Sequence, residues 1–342
     1  MTGSSVTVQT LPVVTELSDR FGRVHRKLRV SLTDRCNLRC TYCMPAEGVD
    51  WLARDSVLTD GEVVRAVDVM VRTLGITHVR VTGGEPLLRP GLVDIVGRLA
   101  ALTPRPDLAL TTNGIGLADV VGDLRAAGLD RINISLDTLD HETFRTLTRR
   151  DRLDDVLAGI DAALSAGLAP VKVNAVLMRG VNDHEALDLL HHCMAHGLQM
   201  RFIEQMPLDP QHGWRRAEMI TAAEIEGMLS RAHQLTPIPG RGSAPAEDFL
   251  VDGGPHTVGI IGSMTRPFCA SCDRLRLTAD GQVRSCLFAR EEQDIRSLLR
   301  SGADDDAIAQ VVRGTVAAKA AGHGVDDGTF LQPPRPMSAI GG

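Results

Sequence analysis

Six of the seven cysteines in this chain lie in two short stretches. Cys36, Cys40 and Cys43 stand in CNLRCTYC with C-x3-C-x2-C spacing, and Cys269, Cys272 and Cys286 stand in CASCDRLRLTADGQVRSC with C-x2-C-x13-C spacing. Clustered cysteines in a reducing compartment read as metal ligands sooner than as disulfides. Structural zinc sites take four Cys or His ligands, and iron–sulfur cubes usually take four cysteines. Each triplet offers three. Three thiolates on a four-iron cube leave one iron without a protein ligand, and that open corner can bind a small molecule. The competing chemistry is zinc, with a distant His completing the first site or a four-ligand ribbon forming the second. No fourth cysteine and no well-spaced His stand near the second triplet, which favours a second cube. Asp280-Gly281, between two alternating segments, signals a hairpin. A two-residue turn there would set Cys286 opposite Leu275 and close to Cys272.

Basic residues form a further pattern. Arg29, Arg80 and Lys172 fall at alternating positions of predicted strands, and Arg274 and Arg276 sit beside the second triplet, between Cys272 and Cys286. The net charge is −6, which argues against broad nucleic-acid binding, so a local concentration of cations points to a polyanionic small ligand. Arginine forks match phosphate oxygens, each charge-assisted bond contributing about 1.5–3 kcal/mol. No G-x4-G-K-[ST] loop occurs, so side chains would hold a nucleotide. Internal ion pairs to Glu204 and Asp137 are the other explanation for these cations.

A repeating rhythm positions these groups. RTLGITHVRVT, RAAGLDRINIS, LSAGLAPVKVN and MAHGLQMRFIE each read as a helix end, a glycine and a strand, with Gly75, Gly128, Gly167 and Gly197 as the stops. KLRVSLT and DLALTT bring the strands to six, and strands alternating with helices imply parallel βαβ units. Positions five and seven after each glycine are Arg80 and Thr82, Asn133 and Ser135, Lys172 and Asn174, Phe202 and Glu204. Residues two apart share a strand face, and seven of these eight are polar. Arg29, Ser31 and Thr33 continue the pattern, which predicts a polar cavity at the C-terminal ends of the strands. TGGEP, residues 82–86, follows the second strand, and its paired glycines allow close backbone approach.

The rest of the chain is organised around this repeat. Residues 1–25 read as an arm, 26–235 as a partial barrel, 236–330 as a region carrying the second triplet, and 331–342 as an extended, mobile tail. Within the third segment, residues 236–256 read as a connection, 257–288 as β-like and 291–319 as helical. The hydrophobic fraction of 43% suits a soluble core. No run of 18 apolar residues predicts a membrane span, and no signal peptide is evident, so a cytoplasmic protein is expected. His191, His192, Cys193 and His196 read as a helix end, and Asp304, Asp305 and Asp306 as a helix start.

The C-x3-C-x2-C loop after a first strand, with GGE after the second, resembles the radical S-adenosylmethionine (SAM) superfamily. RVSLTDRCNLRCTYCMP, VRVTGGEPLLR, LTTNG, INISLDTL, VKVNAVLMRGVN, RFIEQMP, the second cysteine stretch and the terminal GG together resemble the molybdenum-cofactor GTP 3′,8-cyclase family, from about residue 20 to the last residue. The resemblance implies an α/β fold, an incomplete (β/α)6 barrel closed by the second-cluster region. It implies two [4Fe-4S] clusters and SAM, with Tyr42, Gly84, Ser135 and Met206 contacting SAM. It implies GTP as substrate at Arg29, Arg80, Thr111, Lys172, Arg274, Leu275 and Arg276, with Gly341 and Gly342 in support. As partners it implies cyclic pyranopterin monophosphate synthase as the next enzyme and an electron donor such as flavodoxin or ferredoxin. It allows a homodimer and implies neither nucleic acid nor membrane. A radical SAM enzyme acting on a peptide would need a leader-binding module, for which no segment is evident. A zinc scaffold without catalysis would contain zinc and no iron.

Overall fold

The computed structural model describes residues 16–328 and 330–341. Residues 1–15 of the expected arm, and Gly342, lie outside them.

The six expected strands are present as β1 (Lys27–Ser31), β2 (His78–Thr82), β3 (Asp107–Thr112), β4 (Arg131–Ser135), β5 (Val171–Leu177) and β6 (Gln199–Glu204). They lie side by side in chain order, every pair parallel. Gly75, Gly128, Gly167 and Gly197 all hold positive φ where the preceding helix ends. That conformation costs glycine little, and it lets each helix stop before its strand begins. The helix before β2, Asp60–Leu74, starts on a capping box in which Thr59 and Glu62 each accept the other's backbone N–H. Side chains on the outer face of the strands, such as Val30, Val81, Leu110, Ile134 and Val173, are fully buried with Val67, Met70, Ile95 and Leu124 of the surrounding helices. The apolar burial that stabilises the fold therefore sits outside the sheet, which leaves its inner face available for polar groups.

The C-terminal half adds β7 (Leu235–Pro237), β8 (Glu247–Val251), β9 (Thr257–Ile261), β10 (Arg274–Leu277), β11 (Gln282–Arg284) and β12 (Gln293–Asp294). The sheet runs β12-β11-β10-β1-β2-β3-β4-β5-β6-β9-β8-β7. Since β10 pairs parallel with β1, and β9 parallel with β6, the parallel core has eight strands and not six. The two added strands extend the incomplete barrel at both edges. Residues 236–256 are not merely a connection. Glu247–Val251 pairs antiparallel with β9, setting Phe249 against Val258, both buried. The helical stretch divides at Gly302 into Arg296–Ser301 and Asp305–Ala317, with Asp304 capping the second by accepting from Ala307 N at 2.8 Å.

The β10–β11 hairpin differs from expectation by one residue. Arg276 faces Arg284 and Leu277 faces Val283. Thr278 N bonds to Gln282 O, so the loop is Ala279-Asp280-Gly281, with Gly281 at φ +79. A three-residue loop ending in a left-handed residue replaces the two-residue turn. Continued outward, this register carries Cys286 toward Arg274 and not toward Leu275, and it still closes the long cysteine gap.

Candidate active site

The cysteine loop leaves β1 and is fixed by backbone bonds to the end of helix His141–Thr148. Arg39 N donates to Thr148 O and Thr41 N to Leu147 O, both at 2.9 Å. Arg149 Nη1 returns two bonds, to Arg39 O at 2.8 Å and Met44 O at 3.0 Å. On the opposite side the loop meets TGGEP. Gly84 N donates to Thr33 O, and Glu85 N to Arg35 O, both at 2.7 Å. A Cβ on Gly84 would collide with the carbonyls of Arg35 and Asp34. Glycine is therefore required at position 84 for seating the cysteine loop, besides any contact with a ligand. Glu85 is buried and accepts from Thr112 Oγ1 (2.7 Å), Asn113 N (2.7 Å) and Leu87 N (3.0 Å); burial pushes its carboxyl up to about 7. It ties β3 to the loop, and Asn113 continues the tie to Asn37 Oδ1 at 2.7 Å.

Both triplets line one cavity of about 520 Å³. Among the described residues no three His, Cys, Asp or Glu side chains are gathered tightly enough for a single metal ion. A cube asks for a looser set, because each thiolate ligates its own iron. The donor chemistry fits such clusters. Burial and then mutual repulsion hold the Cys40 thiol well above its usual range, and burial and then Cys36 push Cys43 up to about 12. Such buried sulfurs carry charge only against a cationic centre. At the second triplet Cys269 is also raised, mainly by burial. Cys272 differs: burial raises it, but Arg274 and Lys319 outweigh that and bring it to about 7.

Tyr42 lines the cavity and donates to Asp137 Oδ2 at 2.7 Å; Asp137 Oδ1 accepts from Val176 N at 2.8 Å. Burial lifts this carboxyl to about 6. Gly84, Ser135 and Met206 line the cavity with it, as do Arg29, Arg80, Thr111, Lys172, Arg274 and Arg276. Leu275 does not. It is fully buried and pairs with Leu28 across the β1–β10 ladder. Among the described residues none of the five lining cations expected from the sequence forms an ion pair with a side-chain carboxylate within 4.0 Å. Glu204 instead accepts from Ala222 N (2.6 Å), Met264 N (2.7 Å), Thr265 N (3.0 Å) and Thr265 Oγ1. Asp137 is engaged by Tyr42. The internal ion-pair explanation for the cations therefore lacks its partners.

The cations depress one another. Burial, then Arg276, Arg274 and Arg80, hold Arg29 well below the usual arginine range. Burial, then Arg274, brings Arg276 to about 9; burial, then Arg201, brings Arg80 to about 10 and Lys172 to about 8. Unneutralised buried charge of one sign is costly, and an anion relieves it. Arg80 is steadied by Thr111 Oγ1 at 3.3 Å and by the Asn133 side chain. Arg274 lies 4.3 Å over the Phe268 ring.

Strand β6 departs from the expected phase. Arg201 and Ile203 line the cavity, while Phe202 is fully buried on the outer face. The register sets Asn174 beside Arg201 and Ala175 beside Phe202. The segment from Gly197 to its first inward cation is one residue shorter than its counterparts, which flips every side chain. Arg201 thereby joins the five expected cations as a sixth without a carboxylate partner, beside the paired Lys27 and Arg131; its buried Nε has no partner, and neither has Asn174 Oδ1. The shorter segment was the available signal, readable only against the register.

The tail packs into the cavity mouth. Pro336 leads into a short helix, Met337–Ile340, whose Ser338 and Ile340 are buried, and Met337 lines the cavity. Arg335 bonds both oxygens of Asp280, at 2.9 and 2.8 Å. Ser31 Oγ donates to Ile340 O at 3.3 Å, and Arg276 Nη1 donates to Gly341 O. The His191–His196 stretch stays on an outer helix end: Cys193 is buried against Met200, and His191 meets His233 at 2.8 Å.

An open parallel α/β barrel with a three-cysteine loop after its first strand and GGE after its second defines a radical SAM protein. The model of the radical SAM superfamily matches residues 30–193, and that of the molybdenum cofactor synthesis C-terminal domain matches residues 198–325. The chain is 63% identical over 328 residues to a GTP 3′,8-cyclase of Streptomyces coelicolor, covering 95% of this chain and 96% of that one. It is 58% identical to a GTP 3′,8-cyclase of a Mycobacterium species, strain KMS, covering 97% and 95%, and 55% identical to one of Corynebacterium glutamicum, covering 95% and 89%. The chain belongs to the GTP 3′,8-cyclase family. Among solved structures it resembles Streptococcus suis SuiB bound to the precursor peptide SuiA, with a TM-score of 0.60, 14% identity and coverage of 88% of this chain and 69% of that one. At that identity the likeness concerns the fold.

Proposed function

We propose that this chain converts GTP to a 3′,8-cyclised dihydro-GTP by radical SAM chemistry, the first committed step toward the molybdenum cofactor. The observation that carries the reading is that both cysteine triplets line one cavity together with six cations that pair with no carboxylate among the described residues. Cys36, Cys40 and Cys43 would hold one [4Fe-4S] cluster, and Cys269, Cys272 and Cys286 another. When bound, the first cluster would supply the electron for reductive cleavage of SAM, the chemistry that starts hydrogen abstraction from the nucleotide ribose.

The residues of the chain bind, orient and exclude water. Tyr42, Gly84, Ser135 and Met206 shape the end of the cavity that would take SAM. Arg29, Arg80, Lys172, Arg201, Arg274 and Arg276 neutralise the triphosphate, Thr111 steadies Arg80, and the backbone of Leu275 lies beside the guanine end. Met337 and Phe288 line the cavity, and their apolar surface would help keep water from a reactive radical. Gly341 brings its backbone carbonyl to Arg276.

The remaining parts of the reading concern partners. The product passes to cyclic pyranopterin monophosphate synthase, and a small redox protein such as flavodoxin or ferredoxin delivers electrons. Reduced cysteine ligands suit the cytoplasm; no helix among the described residues is long and apolar enough to cross a membrane. A homodimer belongs to the same reading and is checked by light scattering. The deciding experiment is anaerobic turnover with SAM and GTP. Formation of 5′-deoxyadenosine together with a cyclised nucleotide supports the reading; 5′-deoxyadenosine unchanged by GTP, with no nucleotide product, refutes it.

A further inference from the structure

Behind the second triplet lies a buried group of charged side chains that the reaction as described does not use. Lys319 follows the helix Asp305–Ala317 and is 3% exposed. Its Nζ donates to Arg274 O at 2.8 Å and lies 3.7 Å from Cys272 Sγ. Among the described residues no carboxylate forms an ion pair with it; the opposite charges that act on it most strongly are the thiolates of Cys272 and Cys286, with Arg23 and Arg274 repelling it. An ammonium is costly to bury unless a negative charge faces it. The Cys272 sulfur, once a thiolate, is placed to provide one.

Arg23 holds this ammonium in place. Its Nη1 donates to Cys269 O at 2.7 Å and Ala321 O at 3.0 Å, and its Nη2 to Ala320 O at 2.7 Å. One guanidinium thus joins the turn that carries Cys269 to the segment just after Lys319. Asp19 orients Arg23 through Nε at 2.5 Å and through the N–H of Arg23 at 3.1 Å. His25 is fully buried beside this pair, with Nδ1 on Arg23 O at 3.0 Å and Nε2 at 3.9 Å from Asp19. Burial and then Lys319 drive His25 down to about 4, so it stays neutral and adds no charge.

We infer that Lys319 is a positioning residue for the second cluster, a fixed ammonium that Arg23 holds against the Cys272 sulfur and that raises the reduction potential of that cluster. The inference rests on the reading of the second triplet as cluster ligands. Reduction adds one electron, and therefore one negative charge, to a cluster already held by thiolates. A buried cation at the sulfur stabilises the reduced form more than the oxidised form, and hydrogen bonds to cluster sulfurs act in the same direction. Loss of the ammonium makes that cluster harder to reduce. The first cluster, whose sulfurs Lys319 does not approach, keeps its potential.

The test is an anaerobic dithionite titration of the reconstituted holoenzyme, followed by electron paramagnetic resonance, with iron counted in each sample. Lys319→Met keeps the length and apolar stem and removes the charge. The expected result is a more negative potential for the second cluster, an unchanged first cluster, and recovery in Lys319→Arg. Arg23→Lys keeps a charge but cannot reach three carbonyls, and should shift the second cluster in the same direction by a smaller amount. Selective loss of about four irons in both Lys319→Met and Lys319→Arg would make Lys319 a structural support and overturn the tuning role. An unchanged potential in Lys319→Met, or equal shifts in both clusters, overturns the inference. A parent protein with a single reducible cluster overturns the underlying reading of the second triplet as well.

Discussion

Arg276 donates a hydrogen bond from its guanidinium to the carbonyl of Gly341, joining a strand beside the second triplet to the end of the tail. Gly341 has φ +85, and a Cβ there would strike Ser31 Oγ and lie 3.0 Å from Thr82 Cγ2. Only a residue without a side chain reaches Arg276 by this route. Gly341→Ala, or deletion of Gly341 and Gly342, should leave the iron content unchanged and lower formation of the cyclised nucleotide by about tenfold or more, since misplacement near a reacting centre is costly. Equal product formation at equal iron content would count against a working role for the tail.

The two triplets should fail differently. Cys40→Ser removes a ligand from the loop that would hold SAM, and 5′-deoxyadenosine formation should cease. Cys272→Ser should mainly impair GTP turnover and leave some SAM cleavage. Equal loss of 5′-deoxyadenosine in both variants would contradict this division.

Lys172 gives a pH test with a definite sign. Burial and neighbouring arginines hold its ammonium near a pKa of about 8. Below that pH the group is charged and attracts triphosphate; above it the free enzyme loses the charge, so GTP affinity should fall as pH rises through this window. Lys172→Ala should weaken binding about tenfold or more and remove this pH step. Higher salt should weaken binding in the parent. Calorimetry with GTP across pH reads both effects, and a Lys172→Ala variant with parental affinity would remove the main support for the basic cavity.

Arg201 and Glu204 sit three residues apart and should behave oppositely. Arg201→Leu should weaken GTP binding with little change in melting temperature. Glu204→Gln keeps the shape but loses a charged acceptor for Ala222, Met264 and Thr265. It should cost about 1–3 kcal/mol of stability, with the smaller effect on GTP affinity. Denaturant melts paired with nucleotide titration separate the two.

Tyr42 and Asp137 form a pair that Tyr42→Phe would break. The buried Asp137 carboxyl would keep Val176 N as a partner and lose its charge-relieving hydroxyl, and its pKa should rise further from about 6. SAM cleavage in this variant should fall more steeply than GTP binding; an unchanged SAM affinity and cleavage rate would leave Tyr42 as packing alone.

The sequence by itself determined the chemistry and the central repeat. Cysteine spacing fixes ligand number locally, and glycine stops followed by apolar alternation fix where β2, β4, β5 and β6 begin. Those are short-range properties of the chain, set by backbone conformation and strand periodicity. Tertiary structure decided the rest. The phase of β6 turned on one residue of connection length, so Arg201 and not Phe202 faces the cavity. The position of Cys286 turned on a loop of three residues in place of two. The addition of β9 and β10 to the edges of the parallel core depends on pairings of residues far apart in sequence, Met200 with Val258 and Lys27 with Arg274, which no local pattern encodes. Arg23 and Lys319 carry no motif, and they acquire a role because the fold brings an N-terminal turn and a C-terminal helix end together behind Cys269 and Cys272. Burial then supplies what sequence cannot: the low dielectric and crowding that shift Lys172, Cys43 and Asp137 from their ordinary values.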